Sequence, residues 1–483
     1  MGHAHRQRPE SRLADVSWRA MVLVAAVGFA AAAAGIGIGA TAAEHVAVDE
    51  TQYLLSAISL AEDGDLDISD ELTAHRWSSF AAVEPPTQTT VLSDGRQISP
   101  HDPLLPILLA GPVAVGGWVG AKLALAGCAG LLAALTLWVA VRRFAVPPRT
   151  ATTGVALAVG SAPLAVYGQQ VYPELPAAVV IMTGVAALTG AVDRRHLALL
   201  TAAVLTGPWL SVKYAPVLAV LAALGALRWR AGRPGDILVA AGALAAGGAA
   251  YLAVHRVVWG GWTAYASGDH FATRGEFAVV GDSVDPFGRA LRLVGLLVDR
   301  FYGLAAWQPA FLLLVPAASA LLVWRPRHGW VLAAPLATAW AVATFAAATM
   351  HGFWWPGRHV LVVVPLAVLL ILVWVSRSGA IVHVVAATLG AVGVAVHLGL
   401  LVDGHTGAFT WVLGFGQVSG PGRSLLPDYR ADFWALHLGW CAAFAGLALL
   451  AALTARHQWL KVTKSPRSWT TACAMLWSGS PNK

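Results

Sequence analysis

The chain has 483 residues, 57% of them hydrophobic and only 12% charged, with a mean hydropathy of +0.65; a soluble domain carries about 25% charged residues. This composition excludes an ordinary soluble globular domain and describes an integral membrane protein. The formal charge of +7 does not indicate nucleic-acid binding, because the basic residues sit in short connections between apolar runs, where they encode membrane topology.

Apolar stretches of about 17 to 25 residues recur along the chain, as helical spans require, whereas a barrel would show shorter alternating strands. The fold class expected is therefore an all-α polytopic membrane protein. Residues 1–17 form a short N-terminal tail. The run 18–43 is too long for a secretory signal and reads as the first span. Further spans are expected at 118–141, 150–167, 175–192, 197–211, 214–227, 237–257, 303–324, 329–350, 358–376, 379–402 and 433–455, about twelve in all. They make up a transmembrane domain over 18–455, followed by a basic tail, 456–483. Cys128 and Cys441 fall inside spans and Cys473 in the tail, so neither a disulfide framework nor a cysteine metal cluster is available.

Alternate connections carry "VRRFAVPPR", "DRRH", "RWRAGR", "WRPRHG" and "SRSG", with "RHQWLKVTKSPR" after the last span. The positive-inside rule then places both termini in the cytoplasm. Of the 25 acidic residues, only Glu10, Asp15, Asp193 and Asp236 fall on that side. Acids contribute little to orientation, so their concentration on the outer face asks for a functional explanation.

Two outer segments are long, 44–117 and 258–302. Within them, the proline-interrupted apolar run 103–117 and the arginine-bearing run 288–300 are expected to lie in or dip into the interface rather than span. Residues 197–227 must cross twice with too little length, which predicts two short helices meeting at Lys213 below the outer surface.

Four motifs carry candidate chemistry: the acidic pair Asp49-Glu50 in "VDE" after the first span, "SPHDPLLP" with His101 and Asp102, "QVYPELPAA" with Tyr172 and Glu174, and "PWLSVKYAP" with Lys213. In layout and in these motifs the chain resembles the GT-C superfamily of membrane glycosyltransferases, in its protein O-mannosyltransferase and aminoarabinose-transferase branches. Asp102 stands where those relatives have the first proline of His-Pro-Pro, and Tyr214 where they have the glycine of Lys-Gly. The resemblance implies a polyprenyl-phosphate-linked sugar as donor, a hydroxyl acceptor on a polysaccharide, glycolipid or protein, and inversion at the anomeric carbon. Similar Gly-Arg elements mark Arg358 in "HGFWWPGRHVLVVVP" as a phosphate contact. Arg300 and Tyr302 of "DRFYGLAAWQP" are further candidates for the donor head group.

The chemistry is reasonable on the residues themselves. A carboxylate within reach of a hydroxyl takes its proton as it attacks the sugar, and a cation steadies the departing phosphate. Adjacent side chains on a helix point about 100° apart, so one of the acidic pair faces the reacting carbon. Asp49 is read as the base, with Glu50 orienting it or binding acceptor or metal. Asp49 also suits a helix N-cap, Glu174 a helix N-terminus, His101 and Asp102 an ordinary turn before Pro103, Lys213 snorkelling to water, and Arg358 interfacial anchoring.

The run "EDGDLDISDE" fails the EF-hand spacing, with Ile68 where a glycine belongs and Ala74 at the twelfth place, and reads as a solvated acidic face. Histidines 351, 359, 397 and 405 lack ligand spacing, so no metal site is assigned; a divalent cation near the acidic pair is left open. A polytopic transporter or flippase is the alternative class, since such proteins also hold ionisable groups in the membrane. The Ala, Gly, Val, Trp and Arg bias, with Asn482 the only asparagine, resembles a GC-rich bacterial genome. The expected setting is thus a bacterial plasma membrane, with the active site outside and a cell-envelope acceptor.

Overall fold

A computed structural model describes residues 16–86, 88–89, 91–267, 285–414, 418 and 420–464. Most of both expected tails and the middle of the second long segment lie outside the described residues. Among those described, the structure is helical, with three isolated β-bridges and no strand. The elements run α1 Trp18–Ala33, α2 Asp49–Glu62, α3 Ser69–Thr73, α4 Leu104–Phe144, α5 Pro148–Val159, α6 Leu164–Tyr167, α7 Glu174–Leu188, α8 Arg194–Leu210 and α9 Ala215–Trp229. They continue with α10 Pro234–Trp259, α11 Pro286–Ala290, α12 Arg292–Val298, α13 Leu314–Trp324, α14 Gly329–Ala341, α15 Val364–Val375, α16 Ala380–His405 and α17 Trp434–Lys464.

Among the described residues, seven helical stretches are long and apolar enough to cross a membrane: Leu104–Phe144, Val212–Trp229, Pro234–Trp259, Gly329–Ala346, Arg358–Val375, Ala380–His405 and Trp434–Leu460. Three shorter apolar ones are Trp18–Ala33, Glu174–Leu188 and Pro309–Trp324. The protein is thus an all-α, multi-pass membrane protein. Arg358–Val375 is mostly enclosed by its neighbours, whereas Pro234–Trp259 faces outward along nearly its whole length.

Several expected elements are shorter than the hydropathy suggested. The run 18–43 is helical only to Ala33, because the glycines of "GIGIGA" turn the chain; a Cβ on Gly39 would meet the Thr41 carbonyl oxygen at 2.5 Å. The run 150–167 is divided between α5 and α6 by a turn at 160–163. The run 288–300 is two short helices rather than one, and Arg292 is fully buried, donating to the carbonyls of Ala347 (2.7 Å) and Ala348 (3.3 Å). By contrast, Gly117 takes φ 56°, ψ −147°, a conformation open essentially to glycine alone. It kinks the chain between the proline-containing helix 104–116 and the following apolar helix. Ser211, extended at φ −170° and ψ 134°, likewise separates α8 from a 3₁₀ turn, Val212–Tyr214, that leads into α9.

Small residues let the first helices approach closely. A Cβ on Gly28 would lie 3.0 Å from the Ala129 carbonyl oxygen, and one on Gly130 2.9 Å from that of Ala25, so α1 lies along α4 backbone to backbone. The two ends of the bundle differ in chemistry. At one end Arg228 donates to the Gly190 carbonyl (2.5 Å), Trp229 Nε1 to that of Asp193 (3.1 Å), and Arg194 pairs with Asp236 (2.9 Å). At the opposite ends of α7, α8 and α9, Glu174 and the Val212–Lys213 turn meet Arg358, Asp49 and Asp102 from other segments.

Candidate active site

α2 begins at Asp49, and the residue before it, Val48, is held at φ 57°. Positive φ on a β-branched residue is strained and marks a position fixed by its surroundings. Asp49 is the first helical residue rather than the cap, and no side-chain capping bond forms. Its carboxylate instead reaches across the fold: Oδ2 accepts from Arg358 Nη2 at 2.6 Å and Oδ1 from Gln88 Nε2 at 3.4 Å.

Glu174 opens α7. Its Oε1 accepts from Arg358 Nε at 3.0 Å and from Lys213 Nζ at 2.6 Å. One guanidinium therefore ties the two carboxylates, and the second cation flanks Glu174. The Arg358 guanidinium carbon lies 4.3 Å from the Tyr172 ring centroid and 5.3 Å from that of Trp354, a cation held against aromatic faces as well as carboxylates. The cluster is graded in depth. Side-chain exposure is 0% for Glu174, 10% for Arg358, 16% for Asp49 and 43% for Lys213, so it opens at the lysine. Burial pushes the Asp49 carboxyl up, but Arg358, with His101 and Lys213, outweighs it and holds Asp49 well below the usual carboxylate range.

His101 lies partly buried close to Asp49, its ring stacked 4.6 Å from that of Tyr53. Desolvation, opposed by the Asp49 charge, lowers its pKa. Three polar atoms of this neighbourhood, Glu174 Oε2, Tyr172 Oη and Tyr214 Oη, are buried without a hydrogen-bond partner. Native interiors leave few such atoms, and those that remain ask for a ligand or a function.

The other expected site residues take supporting places. Glu50 points away from Asp49: its Oε1 accepts from the Val171 N–H (2.6 Å) and its Oε2 from that of Ala47 (3.2 Å). Fully buried, it faces Lys122, which donates to the His45 carbonyl (2.8 Å) and Gln169 Oε1 (3.1 Å). Glu50 thus fixes the segment leading to Tyr172 and Glu174. Asp102 accepts from Tyr251 Oη (2.7 Å) and the Val212 N–H (3.0 Å), with His255 Nε2 at 3.2 Å, and so anchors the turn that carries Lys213. Arg300 donates to the carbonyls of Leu426 (3.0 Å) and Ser424 (3.3 Å), bracing that loop rather than joining the acids. Tyr302 gives its hydroxyl to the Gly352 carbonyl (2.5 Å), on the segment leading to Trp354.

Sequence reasoning missed Lys122, Tyr53 and Asp299. Lys122 was findable, as the one charge in the expected span 118–141. Asp299 is fully buried, accepting from the N–H groups of Phe301 (2.8 Å) and Tyr302 (2.6 Å) beside His351 Nε2 at 3.2 Å. A divalent cation does not fit between Asp49 and Glu174, because Arg358 already occupies that position.

Fold and site together define a multi-pass, all-α membrane protein with a four-charge network, buried at Glu174 and open at Lys213, at one end of its bundle. Comparison with protein families, curated proteins and solved structures finds no match.

Proposed function

We propose that the protein is an inverting, GT-C-type glycosyltransferase with about twelve spans, moving a sugar from a polyprenyl-phosphate donor to a hydroxyl acceptor at the extracytoplasmic face of a bacterial plasma membrane. The observation that carries this reading is the Asp49–Arg358–Glu174–Lys213 network: a carboxylate near the surface and two cations, the outermost of them accessible. The acceptor oxygen attacks the anomeric carbon and its proton passes to Asp49. The bond from that carbon to the phosphate oxygen breaks, and its electron pair leaves on the polyprenyl phosphate. Charge on the phosphate grows during this step, so Lys213 and Arg358 bind the transition state more tightly than the ground state. As the donor draws these cations toward itself, their hold on Asp49 weakens and the carboxylate becomes a better base. The outward opening of the cluster at Lys213 suits a lipid whose head group lies at the interface. His101 and Tyr172 line the same neighbourhood, and Asp102 and Glu50 position it.

The test is turnover of radiolabelled polyprenyl-phosphate sugars by the purified, reconstituted protein beside Asp49→Asn, which keeps shape and removes the base. Loss of donor label in wild type, slowed by roughly 10²-fold or more in the variant, is expected. Equal turnover in both refutes Asp49 as base. Absence of turnover while labelled lipid crosses proteoliposome membranes replaces the enzyme with a flippase.

A further inference from the structure

The stretch after α2 is not the uniformly solvated acidic face that its sequence suggests. Asp63 and Asp70 are exposed, but Glu71, in the first turn of α3, is buried to 2% exposure. One carboxylate oxygen from each of the three lies within 4.8 Å of the others. Beyond its own backbone N–H, neither oxygen of Glu71 meets an N–H or O–H donor. The group it faces at hydrogen-bonding range is another carboxylate, Asp70, and its strongest charged neighbours, Asp70 and Asp63, share its sign. Such an arrangement is unfavourable unless something positive sits among the carboxylates, because a buried carboxylate needs a partner. The loop between these residues is built rather than loose: Ser59 Oγ donates within the 65–67 segment, and Asp67 Oδ1 accepts from the N–H groups of Ser69 (3.1 Å) and Gln97 (2.9 Å).

We propose that Asp63, Asp70 and Glu71 bind a calcium ion that clamps the C-terminal end of α2 to the start of α3. The donor set is all oxygen, which selects a hard cation. Two ligands on one calcium, each at about 2.4 Å, stand at most about 4.8 Å apart, in keeping with the spacing of these oxygens. The exposed Asp63 and Asp70 leave room for the waters that complete six to eight ligands, and provide a path of entry. The site is separate from the candidate active site. α2 has 14 residues, so its two ends are about 20 Å apart at a rise of 1.5 Å per residue. The clamp therefore fixes the far end of the helix that carries Asp49, and its existence does not depend on the glycosyltransferase reading.

The test is equilibrium binding of ⁴⁵Ca²⁺ to the full-length protein in detergent after chelator treatment. One ion per chain is expected, with a dissociation constant on the order of 10⁻⁴ M, as in extracellular modules. Glu71→Gln, nearly isosteric, and the surface variant Asp70→Asn should each weaken binding at least tenfold. Asp94→Asn, which removes an exposed acid paired with Arg96 outside the cluster, should leave it unchanged. Asp70→Asn keeps the test decisive if the buried variant misfolds. Wild-type protein that binds no calcium at millimolar concentration overturns the proposal and leaves a shared proton as the balancing charge; equal affinity in wild type, Glu71→Gln and Asp70→Asn overturns it as well.

Discussion

Removing Arg358 should destabilise the protein more than any other single change in the charge network, because the residue serves two carboxylates. Arg358→Gln leaves Asp49, 2.6 Å from the lost guanidinium nitrogen, with only the long contact from Gln88 at 3.4 Å, and leaves Glu174 with Lys213. Breaking a buried ion pair from one side costs about 3 to 5 kcal/mol. Asp49 retains 16% exposure and Glu174 retains a cation, so the lower end applies, about 3 kcal/mol. Arg358→Lys keeps the charge, but one ammonium on a shorter reach cannot span both carboxylates as the planar fork does; losing one charged hydrogen bond costs about 1.5 to 3 kcal/mol. The assay is thermal unfolding in detergent, read by a thiol-reactive fluorophore at the partly buried Cys128 and Cys441. The expected order of stability is wild type, Arg358→Lys, Arg358→Gln. In the double variant Arg358→Gln/Asp49→Asn the losses should be less than additive by at least about 1 kcal/mol, since neutralising Asp49 removes the stranded charge. Strict additivity, or a wild-type unfolding temperature for Arg358→Gln, refutes the pairing.

Asp102→Ala strands the Val212 N–H and the Tyr251 hydroxyl; the expected loss is about 1 to 3 kcal/mol of stability, together with a raised KM for the donor as Lys213 loses its anchor. Asp102→Asn, which keeps an acceptor, should recover part of both, and an unchanged KM in the Ala variant removes Asp102 as a positioning residue. The adjacent acids of α2 should give opposite pH signatures. Burial first, opposed by Lys122 and two N–H groups, raises the Glu50 pKa, so its protonated form is favoured on folding. Its contribution to stability is complete below the ordinary glutamate value of about 4.3 and declines as pH rises through the raised folded value. Asp49, held low, contributes above the ordinary aspartate range and loses that contribution only as pH falls below it. The unfolding temperature of Glu50→Gln should therefore depend less on pH between about 4.3 and 7 than that of wild type; superimposable profiles contradict the shift.

What could be read from the sequence divides along physical lines. Spans announce themselves through long apolar runs, so the all-α membrane class and the break at Lys213 followed from length alone. Their ends did not, because helix termination depends on local backbone chemistry: the glycines after Ala33 and the turn at 160–163 shorten elements whose hydropathy continues. Asp49, Glu174, Lys213 and Arg358 each stood out as a charge near lipid. That they meet was not legible, since Asp49 and Arg358 are 309 positions apart and no periodicity links them. That Asp49 and Glu50 point in different directions was foreseen from helix geometry; that Glu50 braces the segment before Tyr172 instead of orienting Asp49, with Lys122 and the Val171 N–H as its partners, required the fold.

The network also accounts for why so much charge is tolerated at this end of the bundle. Among its four groups the two negative charges balance the two positive ones, and Arg358 is stacked against aromatic rings, which lowers the expense of burying it. A set that is neutral as a whole is stable when idle, yet it is unevenly exposed, with Lys213 outermost and Glu174 innermost. Under the proposed function, an incoming phosphate meets the lysine first and competes with Glu174 for it; Glu174 then depends more heavily on Arg358, and the hold of Arg358 on Asp49 is divided. Ligand entry at the open side is thereby transmitted to the carboxylate at the other end of the chain of contacts. For that reason the decisive comparison is the Lys213→Met variant. Wild-type stability with weakened donor binding marks Lys213 as a ligand-facing cation, whereas a loss of stability without a change in binding assigns the whole network to the scaffold.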